Sequence, residues 1–158
     1  MDIALTCSCV LPVASDVPLC CHKVQVHNWG STRGQTRRFE VLLDLLGGPH
    51  ALRKASLADV GCGCGDFAAF LKDSGARPRE YVGYDIVSSM VAAGMERFAA
   101  DGSTNHRFEA RDISLSPPDR KFDFVISSGV FAFGNTVSTA DVLFSSTRRG
   151  IFRPFLRW

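Results

Sequence analysis

The residues best suited to chemistry in this chain form one continuous stretch, Leu57-Ala58-Asp59-Val60-Gly61-Cys62-Gly63-Cys64-Gly65-Asp66. A short apolar run ends in an acid. Three glycines then fall on alternate positions, and a helical pattern begins at once. Glycine accepts positive φ and leaves no Cβ between a ligand and the main chain. A strand that turns in this way into a helix is a nucleotide-binding turn. Dinucleotide phosphates call for G-x-G-x-x-G. The third glycine of that pattern would fall at position 66, which is Asp66. A pyrophosphate beside Asp59 and Asp66 would be repelled, whereas a cationic ligand without phosphate would not.

S-adenosylmethionine is such a ligand, with a sulfonium, an ammonium, a ribose and an adenine. The stretch resembles motif I of the class I SAM-dependent methyltransferases. The resemblance continues along the chain. Tyr81-Val82-Gly83-Tyr84 ends at Asp85, 20 residues beyond Gly65, which is where a carboxylate reads ribose hydroxyls. His106-Arg107-Phe108-Glu109-Ala110 precedes Asp112 and Ile113, which match the family's adenine-binding acid and its apolar neighbour. Lys121 to Ser128, leading into Gly129-Val130-Phe131, matches the motif IV region, where a strand end faces the transferred methyl group. The cofactor-binding residues that the resemblance implies are Asp59, Gly61, Cys62, Gly63, Gly65, Asp85, Ile86, Asp112, Ile113 and Ser127. It spans roughly residues 28 to 150.

Each acid also has a purely structural reading. Asp59 can cap the turn by accepting backbone N–H groups. Asp66 can be a first-turn acid that stabilises its helix dipole by ~0.3–1 kcal/mol. Asp112 can hold a turn. Asp59, Asp85 and Asp112, each at the carboxyl end of a strand, together favour a cofactor site for the set.

The fold implied is α/β, a Rossmann-like, doubly wound and mainly parallel sheet with helices on both faces. Strands are expected at Ser56–Val60, Tyr81–Tyr84, Arg107–Ala110 and Phe122–Ile126, and helices at Asp66–Ser74 and Ser88–Ala100. This alternation predicts right-handed crossovers. Before it, Phe39, Leu42, Leu43 and Leu46 recur at helical spacing, and Gly47-Gly48 reads as the stop. The resemblance lets this helix cover the cofactor, with Gln35 and Arg38 near its carboxylate. A surface helix packing its apolar stripe on the sheet is the other reading. In the following helices, Phe67, Phe70, Leu71 and Ser74, and then Val87, Met90, Val91, Gly94 and Phe98, form the expected inner stripes. Residues 1–30 read as an irregular leader and 31–158 as the domain. Val137 to Thr147 reads as an amphipathic helix. A fifth strand around Ile151 conflicts with Pro154, because proline cannot serve a central strand. The family's last antiparallel hairpin is missing from this pattern, so the domain is expected to be incomplete at its C-terminus. An open sheet edge would follow, inviting a protein partner or self-association.

Methyl transfer from a sulfonium is an in-line displacement at an activated carbon. Orientation supplies much of the rate, and a base matters only where the acceptor must lose a proton early. Cofactor residues are therefore legible here and a catalytic residue is not. The amino-methylating motif [Asn/Asp/Ser]-Pro-Pro-aromatic is missing after the fourth strand, where Ser127-Ser128-Gly129-Val130-Phe131 stands. Ser116-Pro117-Pro118-Asp119 lies before that strand and ends in an acid. No Pro-Cys nucleophile for cytosine methylation follows either. A small-molecule acceptor is expected. The alternative is a catalytically incompetent remnant that binds only the cofactor or a protein partner.

The 158 residues fit one domain. A net charge of +2 gives no case for nucleic acid, and no apolar run spans a membrane. The N-terminus lacks the basic start of a secretory signal, which makes a cytoplasmic enzyme the expectation. Cys7, Cys9, Cys20, Cys21, Cys62 and Cys64 form no C-x-x-C pair, so no metal site is expected. A nicotinamide-dependent oxidoreductase is disfavoured by Asp66.

Overall fold

The computed structural model describes residues 32–100 and 102–128. The expectations for the leader, for Gly129-Val130-Phe131, for the helix from Val137 and for a strand near Pro154 lie outside the described residues. Eight elements follow one another: α1 (Thr32–Leu45), α2 (Gly48–Leu52), β1 (Ser56–Val60), α3 (Asp66–Asp73), β2 (Glu80–Asp85), α4 (Ser88–Ala100), β3 (His106–Ala110) and β4 (Phe124–Ser127).

The four strands form one sheet in the order β3-β2-β1-β4, and every pairing is parallel. The order reverses between β1 and β4. This is the doubly wound, Rossmann-like arrangement, and a ligand crevice opens at such a reversal, outside the carboxyl ends of the strands. All five residues of β1 are buried, as expected of a central parallel strand covered on both faces.

Alternation along the strands divides the core. Leu57, Tyr81, Phe108 and Ile126 face one side, where they meet Phe39, Phe67, Leu71, Val91 and Phe98 of the helices. Ala58, Val60, Val82 and Tyr84 face the other side, with Phe122 and Ile113. The start of the sheet is fastened by a reciprocal bond. Ser56 N–H and Oγ both donate to Asp123 Oδ2 (2.8 and 2.9 Å), and Asp123 N–H donates back to Ser56 Oγ (3.0 Å).

The sequence reading and the structure part at four places. Gly47 does not simply stop a helix: at φ 87° it becomes the N-cap of α2, with Pro49 in the first turn, a position that suits a residue lacking an N–H. β4 begins at Phe124 rather than Phe122, because the Asp123 side chain is committed to Ser56. Ser74 is exposed after the end of α3. In α4 the inner stripe is Val91, Ala93, Gly94 and Phe98, and Val87 lies 38% exposed ahead of it.

One glycine is fixed by contact rather than by turn geometry. A Cβ added at Gly83 would lie 2.7 Å from Cys62 Sγ and 2.9 Å from Phe108 Cδ1. The bare backbone of β2 is what lets the glycine turn settle on the sheet. Gly83→Ala is expected to lower stability by roughly 1–3 kcal/mol, the usual cost of overpacking a tight core. Urea unfolding checks it: an unchanged midpoint would mean that the turn does not rest on β2.

Candidate active site

Where β1 ends, the chain turns through three residues with positive φ: Gly61 (77°), Gly63 (55°) and Gly65 (78°). Two of its N–H groups, those of Gly61 and Cys62, donate to the Tyr84 carbonyl at 2.8 and 3.1 Å. Gly63 N–H donates to Asp85 Oδ2 (2.9 Å), and Asp85 Oδ1 accepts from Val87 N–H (2.9 Å). The carboxylate at the end of β2 thus holds the turn beside it. Gly65 is the N-cap of α3, with no side-chain cap.

The turn floors a cleft with about 320 Å³ of empty space, part of it open to solvent. Gly61, Cys62 and Gly63 line it together with Asp59, Asp66 and Ser128. Phe39 and Phe67 give it an apolar wall, their ring centroids 5.2 Å apart. Gln35 of α1 closes one side. Asp66 ties three elements together: its Oδ2 accepts from Gln35 Nε2 (3.2 Å), and its Oδ1 accepts from Arg97 Nη1 of α4 (3.0 Å).

The remaining residues singled out in the sequence surround this turn differently. Ile86 is 73% exposed. The Asp112 carboxylate is exposed and accepts from Ser114 N–H (2.9 Å) and Oγ (2.5 Å), which holds its pKa below the usual carboxylate value. Ile113 is buried against the far face of the sheet. Ser127 ends β4 beside Val60, and its buried Oγ has no hydrogen-bond partner among the described residues. Arg38 is exposed on α1.

Two residues escaped the sequence reading. Tyr81 OH donates to Asp59 Oδ2 at 2.5 Å beneath the turn. A signal existed, since Tyr81, Gly83 and Asp85 share one face of β2 and Gly83 is the neighbour of Asp59. Arg97 had no such signal, because its partner Asp66 is brought to it only by tertiary packing.

Charge accumulates under the turn. Burial raises the Asp59 carboxyl from 3.8 to about 7; the Tyr81 bond opposes the rise, and Asp85 and Asp66 add to it. Burial also pushes up the Cys62 thiol, with Asp59 and Asp85 adding repulsion, so Cys62 stays a protonated packing group rather than a nucleophile. The Tyr81 hydroxyl is likewise raised, by burial first and then by Asp59. Because the Asp59 value is raised in the folded state, the fold holds a proton that the unfolded chain has already released. This contribution is fully present below pH 3.8 and is lost as pH rises through about 7. The slope approaches ~1.4 kcal/mol per pH unit inside that window. Asp59→Asn keeps an acceptor for Tyr81 and is expected to remove this slope. Urea unfolding of both proteins across the window isolates the term, and a variant as pH-dependent as the wild type would refute it.

Comparison with known proteins agrees with this geometry. A methyltransferase-domain family matches residues 57–149, more than half of the chain. A search of curated protein sequences gives no match. Among solved structures, a SAM-dependent methyltransferase from Thiobacillus denitrificans, in complex with S-adenosyl-L-homocysteine, is similar at 25% identity with a TM-score of 0.51, covering 67% of this chain and 43% of that one. Magnesium protoporphyrin IX methyltransferase from Synechocystis, with the same ligand bound, is similar at 21% identity with a TM-score of 0.61, covering 72% of this chain and 52% of that one. The YcgJ protein of Bacillus subtilis shares the fold at 19% identity with a TM-score of 0.55, covering 66% and 43%. The chain therefore spans about half the length, or less, of these similar structures. The parallel sheet with its reversal at β1, the glycine turn and the family match together place this chain in the class I SAM-dependent methyltransferase family.

Proposed function

We propose that this chain binds S-adenosylmethionine in the cleft over the glycine turn and transfers its methyl group to a small-molecule acceptor. The observation that carries the reading is the lining of the cleft. It brings together side-chain-free backbone at Gly61 and Gly63 and the carboxyl groups of Asp59 and Asp66, with no cation among the described residues that line it. That lining suits a positively charged nucleoside and opposes a phosphorylated one. The buried Ser127 Oγ, which has no partner among the described residues, is a further polar atom beside the turn that a ligand can satisfy.

When bound, the cofactor supplies an activated methyl group whose leaving group is a neutral sulfide. The work left to this chain is orientation and exclusion of water. Asp85 accepts from the turn and from Val87 through one lone pair on each oxygen. Its remaining lone pairs fit the two ribose hydroxyls. Exposed Ile86 offers apolar surface for the adenine ring, with exposed Asp112 beyond the end of β3 for its edge, while Ile113 is taken up by the core on the far face. Phe39 and Phe67 keep the cleft wall dry. The end of β4, at Ser127, faces the methyl group.

A small acceptor is supported by what surrounds the end of β4. Ser127-Ser128 stands where amino-methylating enzymes of nucleic acid and protein carry a Pro-Pro-aromatic run, and Pro117-Pro118 precede the strand. Magnesium protoporphyrin IX, the compound for which the similar Synechocystis methyltransferase is named, is a small acceptor, and the shared fold supports the same class here.

Calorimetric titration with S-adenosylhomocysteine tests the proposal. Saturable binding is expected, weakened at least ~10-fold in Asp85→Ala, because the ribose loses a charged acceptor and the turn loses its anchor. A folded wild-type chain that takes up no ligand would overturn it.

A further inference from the structure

We propose that the amino ends of the four strands form a docking surface for the phosphate backbone of duplex DNA, at the end of the sheet opposite the cleft. The DNA is a partner to be held, not the methyl acceptor, so this surface stands whether or not the cofactor reading does.

Every strand begins beside basic residues. Arg53 and Lys54 lead into β1, Arg77 and Arg79 into β2, and Arg120 and Lys121 into β4, while Arg107 is the second residue of β3. All seven are exposed. The strand order β3-β2-β1-β4 sets them side by side as a row. Neighbouring strands lie about 4.8 Å apart, so the row is about 14 Å long. The carboxylates of the same segments are Glu80, Asp119 and Asp123, which leaves the seven cations an excess of four charges. One strand of duplex DNA carries a phosphate per ~3.4 Å of helix axis, so about four phosphates span the row. Excess charge and phosphate number match.

Two of those carboxylates hold the arginines in place. Glu80 Oε1 accepts from Arg120 Nη1 at 2.8 Å and from Arg107 Nη2 at 3.2 Å, and Arg79 Nη2 lies 3.6 Å from Asp123 Oδ2. The side chains of Arg79, Arg107 and Arg120 still stay 56%, 66% and 42% exposed. A guanidinium has five N–H donors in a planar fork, so each arginine keeps donors for phosphate oxygens. Arg53, Lys54 and Arg77 make no ion pair among the described residues.

The surroundings select the partner. The exposed large apolar side chains among the described residues, Leu45, Ile86, Val87, Met95 and Leu115, all lie outside the row. A protein interface gathers aromatic and apolar anchors at its centre, whereas an interface with DNA is polar and strongly positive. Single-stranded nucleic acid needs exposed rings on which bases stack. The ring beside this row, Phe122, is buried, with Arg120 over its face at 4.6 Å. Successive strands twist by ~20–25°, so the row curves instead of lying in the plane that lipid headgroups present. The chain's net charge of +2 averages this row with the acids at the other end of the sheet.

Fluorescence anisotropy of a labelled duplex DNA of about 20 base pairs, on the full chain between about 50 and 200 mM salt, tests the surface. For four phosphate contacts, log K is expected to fall against log salt with a slope of about −3.6, roughly a 100-fold loss over that range. The combined variant Arg53→Ala, Lys54→Ala and Arg77→Ala is expected to bring the slope to about −1 and to cost at least ~10-fold in affinity at low salt. Its urea midpoint should not move, because the three side chains hold no ion pair. Arg53→Lys with Arg77→Lys keeps the charges and should keep the slope. Arg37→Ala, on α1 outside the row, should change affinity less than about twofold. A folded wild-type chain that takes up no DNA at low salt overturns the proposal. So does a slope unchanged in the combined variant, or a loss in Arg37→Ala as large as the loss per charge in the row. Tighter binding of single-stranded DNA, duplex RNA, polyglutamate or phosphatidylserine vesicles also overturns it, in favour of the partner that binds.

Discussion

The fastening of the glycine turn to the end of β2 is the constraint on which the site depends. Gly61 and Cys62 donate to the Tyr84 carbonyl, and Gly63 donates to the Asp85 carboxylate. A turn with three positive-φ residues has no regular hydrogen-bond ladder of its own, so its N–H groups must be paired elsewhere. Pairing them with the next strand fixes the floor of the cleft and the entry angle of α3 at once. It also explains why β2 has no side chain at Gly83. Cys62 and the ring of Phe108 occupy that space, which brings α3, α4 and β3 into one packed unit beneath the turn. Asp85 is both anchor and proposed ribose acceptor, so turn geometry and cofactor recognition cannot vary independently.

Legibility in the sequence followed the range of the interactions. β1, α4 and the turn were readable because their signals are local: an apolar run, a helical stripe, glycines on alternate positions. The double glycine before β1 misled, because Gly47-Gly48 has the same composition whether it ends one helix or begins another. Only Pro49, acceptable in a first turn, separates the two cases. The start of β4 was misplaced because the hydrophobicity of Phe122 and Phe124 says nothing of the bond from Asp123 to Ser56, 67 residues away in the chain. The Asp59–Tyr81 pair lay within reach of a two-residue period, since the face shared by Tyr81, Gly83 and Asp85 is also the face of Asp59. The joining of Gln35 and Arg97 on Asp66 lay outside any such rule. It links residues from α1 and α4, each 31 positions from Asp66, and only the packed helices bring them together.

Carboxylates behave in opposite ways at the two ends of this sheet, which bears on what the site accepts. At the amino end, Glu80 receives Arg120 and Arg107, and Arg79 lies 3.6 Å from Asp123. The arginines, Arg120 first, depress the Glu80 carboxyl, and its charge is met within the protein. At the carboxyl end, Asp59 is met by a phenol and Asp85 by backbone N–H groups. Arg97 meets Asp66 there, but burial, with repulsion from Asp85 and Asp66 added, raises the Asp59 carboxyl to about 7. A net charge of +2 conceals this division.

An acid raised by burial and by other acids marks a place where countercharge is missing. A cationic ligand bound there would favour the ionised form of Asp59 and so release the proton that the free fold retains. Binding of a sulfonium nucleoside and deprotonation of Asp59 are thereby linked: each promotes the other, by the same free energy in both directions. A neutral nucleoside leaves the repulsion as it was, and a phosphorylated one deepens it. The proposed preference for a cation thus comes less from any single contact than from the order in which the fold places its acids. They stand at the strand ends that border the crevice, where Asp59 is met by the Tyr81 hydroxyl and Asp85 by backbone N–H groups, while Asp66 alone of the three is paired with an arginine, Arg97.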